Sequence, residues 1–369
     1  MYSGTQLENL VKRAAAEAGF DVAGIAPARL GASRELRYYS NWIAAGRAGE
    51  MAYLESRDQQ GRLKREALEH MAPWARSVIV CALNYNTAHP RSTECNDPKR
   101  GWISRYAWGS VDYHAVVLER LRRVEARLRE EAADPTLQTR CYVDTGPVVE
   151  RVFAAYAGVG WIGKNTCLIN QRLGSWLFLG VILTSLELAP DLPAADRCGS
   201  CTRCLDACPT QAFIAPHELD ATRCISYLTI EKRGAILEEL RAGTGNHVFG
   251  CDICQDVCPW NRRAPTSSAP EFQPKPERFH PALAWLASMS EEDFRRAFRG
   301  SPIRRAKRSG LRRNAMVAMG NSAEPSFVPL LKQLSHDPDP VVAEHAEWAL
   351  ERSIELRVRS TEQVNSRRL

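Results

Sequence analysis

The chain has 369 residues, room for two or three domains, and its 44% hydrophobic content supports ordinary globular cores. Forty-nine Lys and Arg against 43 Asp and Glu leave a formal net charge of +6, a mild basic bias. The opening stretch MYSGTQLENLVKRAAAEAGF has no long apolar run, and nowhere do about 18 apolar residues follow one another, so neither a signal peptide nor a membrane span is expected.

In chain order, Gln6 to Gly19 predicts an amphipathic helix with Leu7, Leu10, Val11 and Ala14 on one face. Residues 20–26 predict a strand, and Ser77 to Leu83, a β-branched run, predicts a buried one. Tyr113 to Glu131 predicts a long helix with Val116, Val117, Leu121, Val124 and Leu128 in register. Arg140 to Val143 predicts a strand ending at Asp144, and Trp176 to Thr184 a fourth apolar strand. Alternating strands and helices favour a layered α/β domain over residues 1–190. Residues 191–265 carry most of the cysteines, and a Pro- and Ser-rich linker follows at 264–276. Residues 277–360 form a helical tail. There Asn314-Ala315-x-x-Ala318 recurs as His345-Ala346-x-x-Ala349, with a helix over Phe327 to Leu334 between them. This suggests a HEAT-like repeat, with an ordinary helical extension as the alternative.

Cys198, Cys201, Cys204 and Cys208-Pro209 form C-x2-C-x2-C-x3-C-P, and a partial second copy follows at Cys251, Cys254 and Cys258-Pro259. This is the ferredoxin pattern, in which three close thiolates take three corners of one iron–sulfur cube and the cysteine before proline reaches the other cube. The second copy has Val248 where its first cysteine would stand, and Cys224 is free to replace it. Cys198, Cys201, Cys204 and Cys258 would then hold one [4Fe–4S] cluster, and Cys208, Cys224, Cys251 and Cys254 the other: a ferredoxin-like double-cluster module. A zinc ribbon needs only four thiolates and leaves the rest unexplained. Cys81, Cys95, Cys141 and Cys167 have no ligand spacing and read as buried or incidental thiols. Twelve cysteines without an export signal point to metal binding in a reducing cytoplasm.

No G-x-G-x-x-G follows a strand, and neither a P-loop nor H-E-x-x-H occurs. The Gly-rich run 158–165 ends Lys164-Asn165, which is not a P-loop; it either brings amides to a ligand or makes a tight connection. Asp144, at a strand's carboxyl end, suits a general acid if its site is apolar, and equally an Asx turn or an N-cap for a helix starting near Pro147. Residues 295–313 carry Arg295, Arg296, Arg299, Arg304, Arg305, Lys307, Arg308, Arg312 and Arg313 and no acid, a one-sign block that predicts contact with nucleic-acid phosphates.

Several stretches together resemble the epoxyqueuosine reductase family. They are Ser104-Arg105-Tyr106-Ala107-Trp108-Gly109, Asp112-Tyr113-His114, residues 142–147 (YVDTGP), 160–166 (GWIGKNT), 224–231 (CISYLTIE) and 250–261 (GCDICQDVCPWN). The resemblance implies an α/β cobalamin-binding domain and an enzyme that removes the epoxide oxygen of epoxyqueuosine at the wobble position of tRNAs with GUN anticodons. It implies Asp144 as the proton donor, also beside the cofactor. Ser226, Arg57, Lys164 and Asn165 would face cobalamin. Lys232 and Arg233 would lie near the anticodon, and Arg304, Arg305 and Arg308 on the tRNA backbone. An unidentified electron donor and a monomer acting in the cytoplasm are expected. The alternatives are a cobalamin and iron–sulfur reductase of the reductive dehalogenase type, or a non-enzymatic iron–sulfur electron carrier.

Overall fold

The computed structural model of the chain describes residues 4–31 and 33–366. Four strands make its main sheet: β1 (Val22–Pro27), β2 (Ser77–Asn84), β3 (Thr139–Tyr142) and β4 (Leu177–Thr184). Their order is β1-β2-β4-β3, and every neighbouring pair is antiparallel, with Ile25 opposite Ile79, Val80 opposite Val181, and Tyr142 opposite Val181. All eight residues of β2 are buried. A strand covered on both faces reads as a continuous apolar run whichever way its neighbours point, so the sequence pattern carries no pairing direction.

One face of the sheet packs on α1 (Gly4–Glu17) and α3 (Tyr113–Ala132). Ile25, Ile79, Phe178 and Ile182 meet Val11, Ala14, Val117, Leu121 and Val124 there. Gly180 lets α3 close in, since a Cβ at that position would stand 2.7 Å from Leu121. The other face packs on α4 (Glu150–Tyr156), where Val78, Val80 and Val181 meet Phe153, Ala154 and Ala157. A Cβ at Gly24 would stand 2.0 Å from the Ala157 carbonyl oxygen, so only glycine permits this approach. Helix α2 (Arg34–Ala44), capped by the Ser33 hydroxyl on the Leu36 amide at 3.2 Å, lies in the long β1–β2 connection.

A separate core joins the rest of the chain. Trp102, Ile103 and Trp108 pack with Tyr227 and Leu228 of α5 (Ile225–Ile230), with Val248 and Phe249, and with Leu311, Ala315 and Met319 of the tail helix α6 (Lys307–Ser322). Helices α7 (Val328–Leu334) and α8 (Pro340–Ser366) complete the tail, with Leu331, Val342 and Ala346 buried in that same core. The cysteine segment and the tail therefore bury one common set of side chains. Among the described residues no helix is long and apolar enough to cross a membrane.

Leu121 is fully buried between α3 and the sheet. Leu121→Ala is expected to cost about 2–5 kcal/mol, because the close-packed sheet cannot collapse into the cavity. Urea unfolding of the metal-loaded protein checks this, with a lower midpoint at unchanged slope.

Candidate active site

Each cysteine run passes into a single helical turn, Arg203–Asp206 and Ile253–Asp256, a short chain path that turns several thiols inward. Cys204 stands within electrostatic reach of Cys198, Cys201 and Cys258, while Cys224, Cys208, Cys251 and Cys254 interact among themselves. Burial, and then repulsion from Cys258 and Cys198, pushes the Cys204 thiol up to about 11. Burial pushes Cys251 well above the ordinary thiol range, with the Cys224 charge adding to it. Thiolates packed so that they repel one another are a donor set that a cationic cluster would relieve. Among the described residues no group of three His, Cys, Asp or Glu side chains is placed to hold a single metal ion.

Lys164 and Asn165 hold these loops. Lys164 Nζ donates to the carbonyls of Gly199 at 2.7 Å and Cys201 at 3.1 Å. Asn165 is buried, and its Nδ2 donates to the Cys254 carbonyl at 3.2 Å. The Gly-rich run that carries them is a tight hairpin, Trp161–Ile162 paired with Leu168–Ile169. Ser226 donates through its backbone and hydroxyl to the Cys224 sulfur. None of the three lines the large cavity described next. Cys167, read as incidental, lies against Cys254, and no sequence spacing signals this because the contact joins residues 87 positions apart.

A cavity of about 1310 Å³ opens beside the cysteine module. Its apolar wall includes Val148, Val152, Ala155, Trp161 and Ile162, and Thr166 brings it one residue from Cys167. Ile230 and Glu231, at the far end of the helix that begins after Cys224, line it too. It exceeds the roughly 300–1,000 Å³ of ordinary small-molecule sites. Trp161 Nε1 is buried in the wall without a protein acceptor.

Asp144 lies in this cavity's lining with φ +55° and a side chain 68% exposed. It caps nothing: α4 begins six residues later, and its N-cap, Val149, makes no side-chain hydrogen bond. Instead the Tyr113 hydroxyl donates to Asp144 Oδ2 at 2.7 Å, and His114 Nε2 stands 3.9 Å from the same oxygen. Tyr113 stacks on Phe178 with ring centroids 4.3 Å apart. Burial, and then the Asp144 charge, pushes the Tyr113 hydroxyl well above its ordinary range, so it remains a donor. Arg65, itself buried, ties the Asp144 loop down by donating to Gly146 O at 2.9 Å and Tyr53 O at 2.8 Å. Sequence patterns did not single out Tyr113 or His114 as partners of Asp144, or Arg65 at all. Arg57 does not line this cavity; its Nη1 donates to the Gly61 carbonyl at 2.7 Å in an adjoining cleft of about 590 Å³ that shares Lys64 and Pro147 with it.

A groove of about 800 Å³ adjoins the cavity and shares His114, Pro302 and Arg305 with it. Arg304, Lys307 and Arg308 line this groove, and Arg304 and Lys307 are exposed. The one-sign block itself needs correcting. Acids from outside the stretch neutralise much of it: Arg305 pairs with Glu231, Arg308 with Glu291 at 3.3 Å, and Arg312 with Asp337 at 2.6 Å. Arg313 is 1% exposed and donates to the carbonyls of Leu228, Lys232 and Gly234, so it is a structural cross-link between tail and cysteine module. Lys232 pairs with Glu50, and Arg233 donates to the Arg305 carbonyl at 2.9 Å, which places Arg233 beside the groove's Arg305.

Residues 65–145 match the family model described as epoxyqueuosine reductase QueG, and residues 197–261 match one described as a 4Fe-4S double cluster binding domain. The chain is 40% identical over 343 residues to the epoxyqueuosine reductase of Xanthomonas campestris, covering 92% of this chain and 94% of that one. The chain belongs to the epoxyqueuosine reductase family. An epoxyqueuosine reductase solved with a tRNA-Tyr epoxyqueuosine-modified stem loop superposes with a TM-score of 0.83 at 33% identity, covering 95% of this chain and 91% of that one. The epoxyqueuosine reductase of Bacillus subtilis, solved with an aspartate catalytic loop swung out of the active site, gives 0.83 at 32% identity with the same coverage.

Two substitutions separate structural from surface arginines. Arg313→Met is expected to cost about 3 kcal/mol or more, since it strands buried carbonyls, while leaving the salt dependence of tRNA binding unchanged. Arg304→Glu is expected to leave stability within about 0.5 kcal/mol and to flatten the salt slope by roughly one phosphate contact. Thermal melts and tRNA titrations at several salt concentrations read both.

Proposed function

We propose that this chain reduces epoxyqueuosine to queuosine at the wobble position of tRNA, using cobalamin and electrons passed through two [4Fe–4S] clusters. The carrying observation is the place of Asp144, in a cavity flanked on one side by the cysteine module and on the other by the basic groove. In this reading Cys198, Cys201, Cys204 and Cys258 hold one cluster, and Cys208, Cys224, Cys251 and Cys254 the other. A relative solved with a modified tRNA stem loop supports the substrate. The groove with Arg304, Arg305 and Arg308 would take the stem-loop backbone, and Lys232 and Arg233 its anticodon side. The tail would serve as a HEAT-like scaffold for that groove. The working unit is a monomer in the cytoplasm, fed by a one-electron donor of low potential.

The residues fit cobalamin in three ways: the cavity's size, its apolar wall, and the Trp161 N–H that lacks a protein acceptor. When bound there, cobalamin supplies the strongly reducing cobalt chemistry that an epoxide requires. Val148, Val152 and Ile162 exclude water from one side of the site. Asp144 gives a proton to the epoxide oxygen as its carbon–oxygen bond opens, where negative charge develops. Tyr113 fixes Oδ2 and leaves Oδ1 to face the substrate, and Arg65 holds the loop that sets this orientation.

The test is anaerobic turnover on epoxyqueuosine-containing tRNA with and without cobalamin, under a strong reductant, read by nucleoside mass spectrometry. Queuosine is expected only with cobalamin. Asp144→Asn should bind cobalamin and keep both clusters while turning over about 10²-fold or more slowly; wild-type turnover in that variant would remove Asp144 from the chemistry. Cys224→Ala is expected to fall from about eight irons per chain, with the loss confined to one of the two clusters. Cys167→Ala should keep the full iron content. Iron analysis and low-temperature spectra of both variants check the ligand assignment.

A further inference from the structure

Converting an epoxide to an alkene takes two electrons and two protons. One carbon–oxygen bond opens, the second breaks as the oxygen leaves as water, and the carbon–carbon double bond forms. Asp144 can deliver one proton at a time, so a second must come from somewhere. The cavity lining contains several acids, and most already have partners. Glu231 is paired with Arg305, Glu218 lies 3.8 Å from Arg47, and Asp196 accepts the Cys198 amide at 2.7 Å. Glu35 accepts from the Tyr156 hydroxyl at 3.4 Å.

Glu150 differs from all of these. It lies in the cavity lining on the first turn of α4, and its Oε1 is buried without any hydrogen-bond partner. The charged groups facing it are Asp144 from the loop after β3, Arg65 from the segment before β2, and Arg151 on its own helix. Neither cation pairs with it. Both terminal nitrogens of Arg65 are spent on Tyr53 O and Gly146 O, and Arg151 donates to Thr166 O at 3.1 Å. A carboxyl with one oxygen buried and unpaired, beside a second carboxyl and with its cations engaged elsewhere, is arranged to keep a proton. Burial first, and then the Asp144 charge, pushes it up to about 7.

We propose that Glu150 is the proton reservoir of the site and reloads Asp144 between the two protonations. The proposal rests on the epoxide reduction set out above. Asp144 protonates the epoxide oxygen, and Glu150 then passes its proton to the Asp144 carboxylate. Asp144 delivers this second proton as the hydroxyl leaves as water. A low-potential one-electron donor supplies the two electrons, and solvent returns one proton to each carboxylate, Asp144 and Glu150, before the next turnover. Glu150 is thus a positioning residue for a proton and acts through Asp144.

The experiment is single turnover of the cobalamin- and cluster-loaded, pre-reduced enzyme on an epoxyqueuosine stem loop from pH 5.5 to 9. Wild type, Glu150→Gln and Glu150→Asp are compared, and infrared difference spectra of each are recorded across the same range. The wild-type rate is expected to fall as pH rises through about 7, together with a protonated-carboxyl band that Glu150→Gln lacks. Glu150→Gln should lose about tenfold or more in rate at pH 6.5 and lose that alkaline limb, while Glu150→Asp restores the limb. Glu150→Gln should also melt higher than wild type at pH 8, because it removes the cost of a buried charge; that confirms the variant folds. A Glu150→Gln enzyme with wild-type rate and limb overturns the reservoir and leaves the reductase reading intact. A wild type that makes no queuosine, with band and cofactors present, sinks the reductase reading and the reservoir with it.

Discussion

The buried carboxylate of Asp252 is the contact on which the site's assembly depends. It sits between Cys251 and Ile253 and accepts from Trp102 Nε1 at 3.0 Å, from the Ser104 hydroxyl and from the Arg105 amide at 2.8 Å. A carboxylate 1% exposed survives only with its lone pairs filled, and three donors from one short segment fill them. This single residue joins the second cysteine run to the segment between β2 and α3. Asp256, one helical turn later, adds a second tie through Oδ2 alone, accepting the Ser92 amide at 2.9 Å and the Ser92 hydroxyl, while its Oδ1 is buried without a partner. Arg105 extends the anchor, with its guanidinium on the carbonyls of Thr87, His89 and Pro90 and lying over the rings of Trp108 and Trp176. The ties lie within the core that the cysteine segment shares with Trp102 and Trp108, and Arg105 carries them on to Trp176 beside the sheet.

Local periodicity carried the elements well. The helix read over Tyr113–Glu131 spans Tyr113–Ala132, and the strand read over Ser77–Leu83 spans Ser77–Asn84. Both follow from apolar spacing, which is a property of neighbours in sequence. The antiparallel order of the sheet was not legible, because residues buried on two faces look the same in either direction. The cysteine runs were legible because their ligand spacing is local, whereas Cys167 was not, since what matters is its contact with Cys254 across the fold.

The same division runs through the charged residues. A run of arginines announces net charge but not where the guanidinium groups go. Arg313 goes inward to carbonyls, Arg312 to Asp337, and Arg304 to the groove, although all belong to one run. Asp144 was readable as a candidate acid from its strand-end position. Its orientation depends on Tyr113 and Arg65, whose roles come from long-range packing alone.

The common core of the cysteine segment and tail has a consequence for the order of biosynthesis. Asn314 of α6 donates to the carbonyls of Thr229 and Val248 at 2.8 Å, so residues made late complete the wall behind thiols made early. Until α6 leaves the ribosome, the loops from Cys198 to Cys258 lack that backing and remain open. Metal delivery and the closing of this wall therefore share one interval.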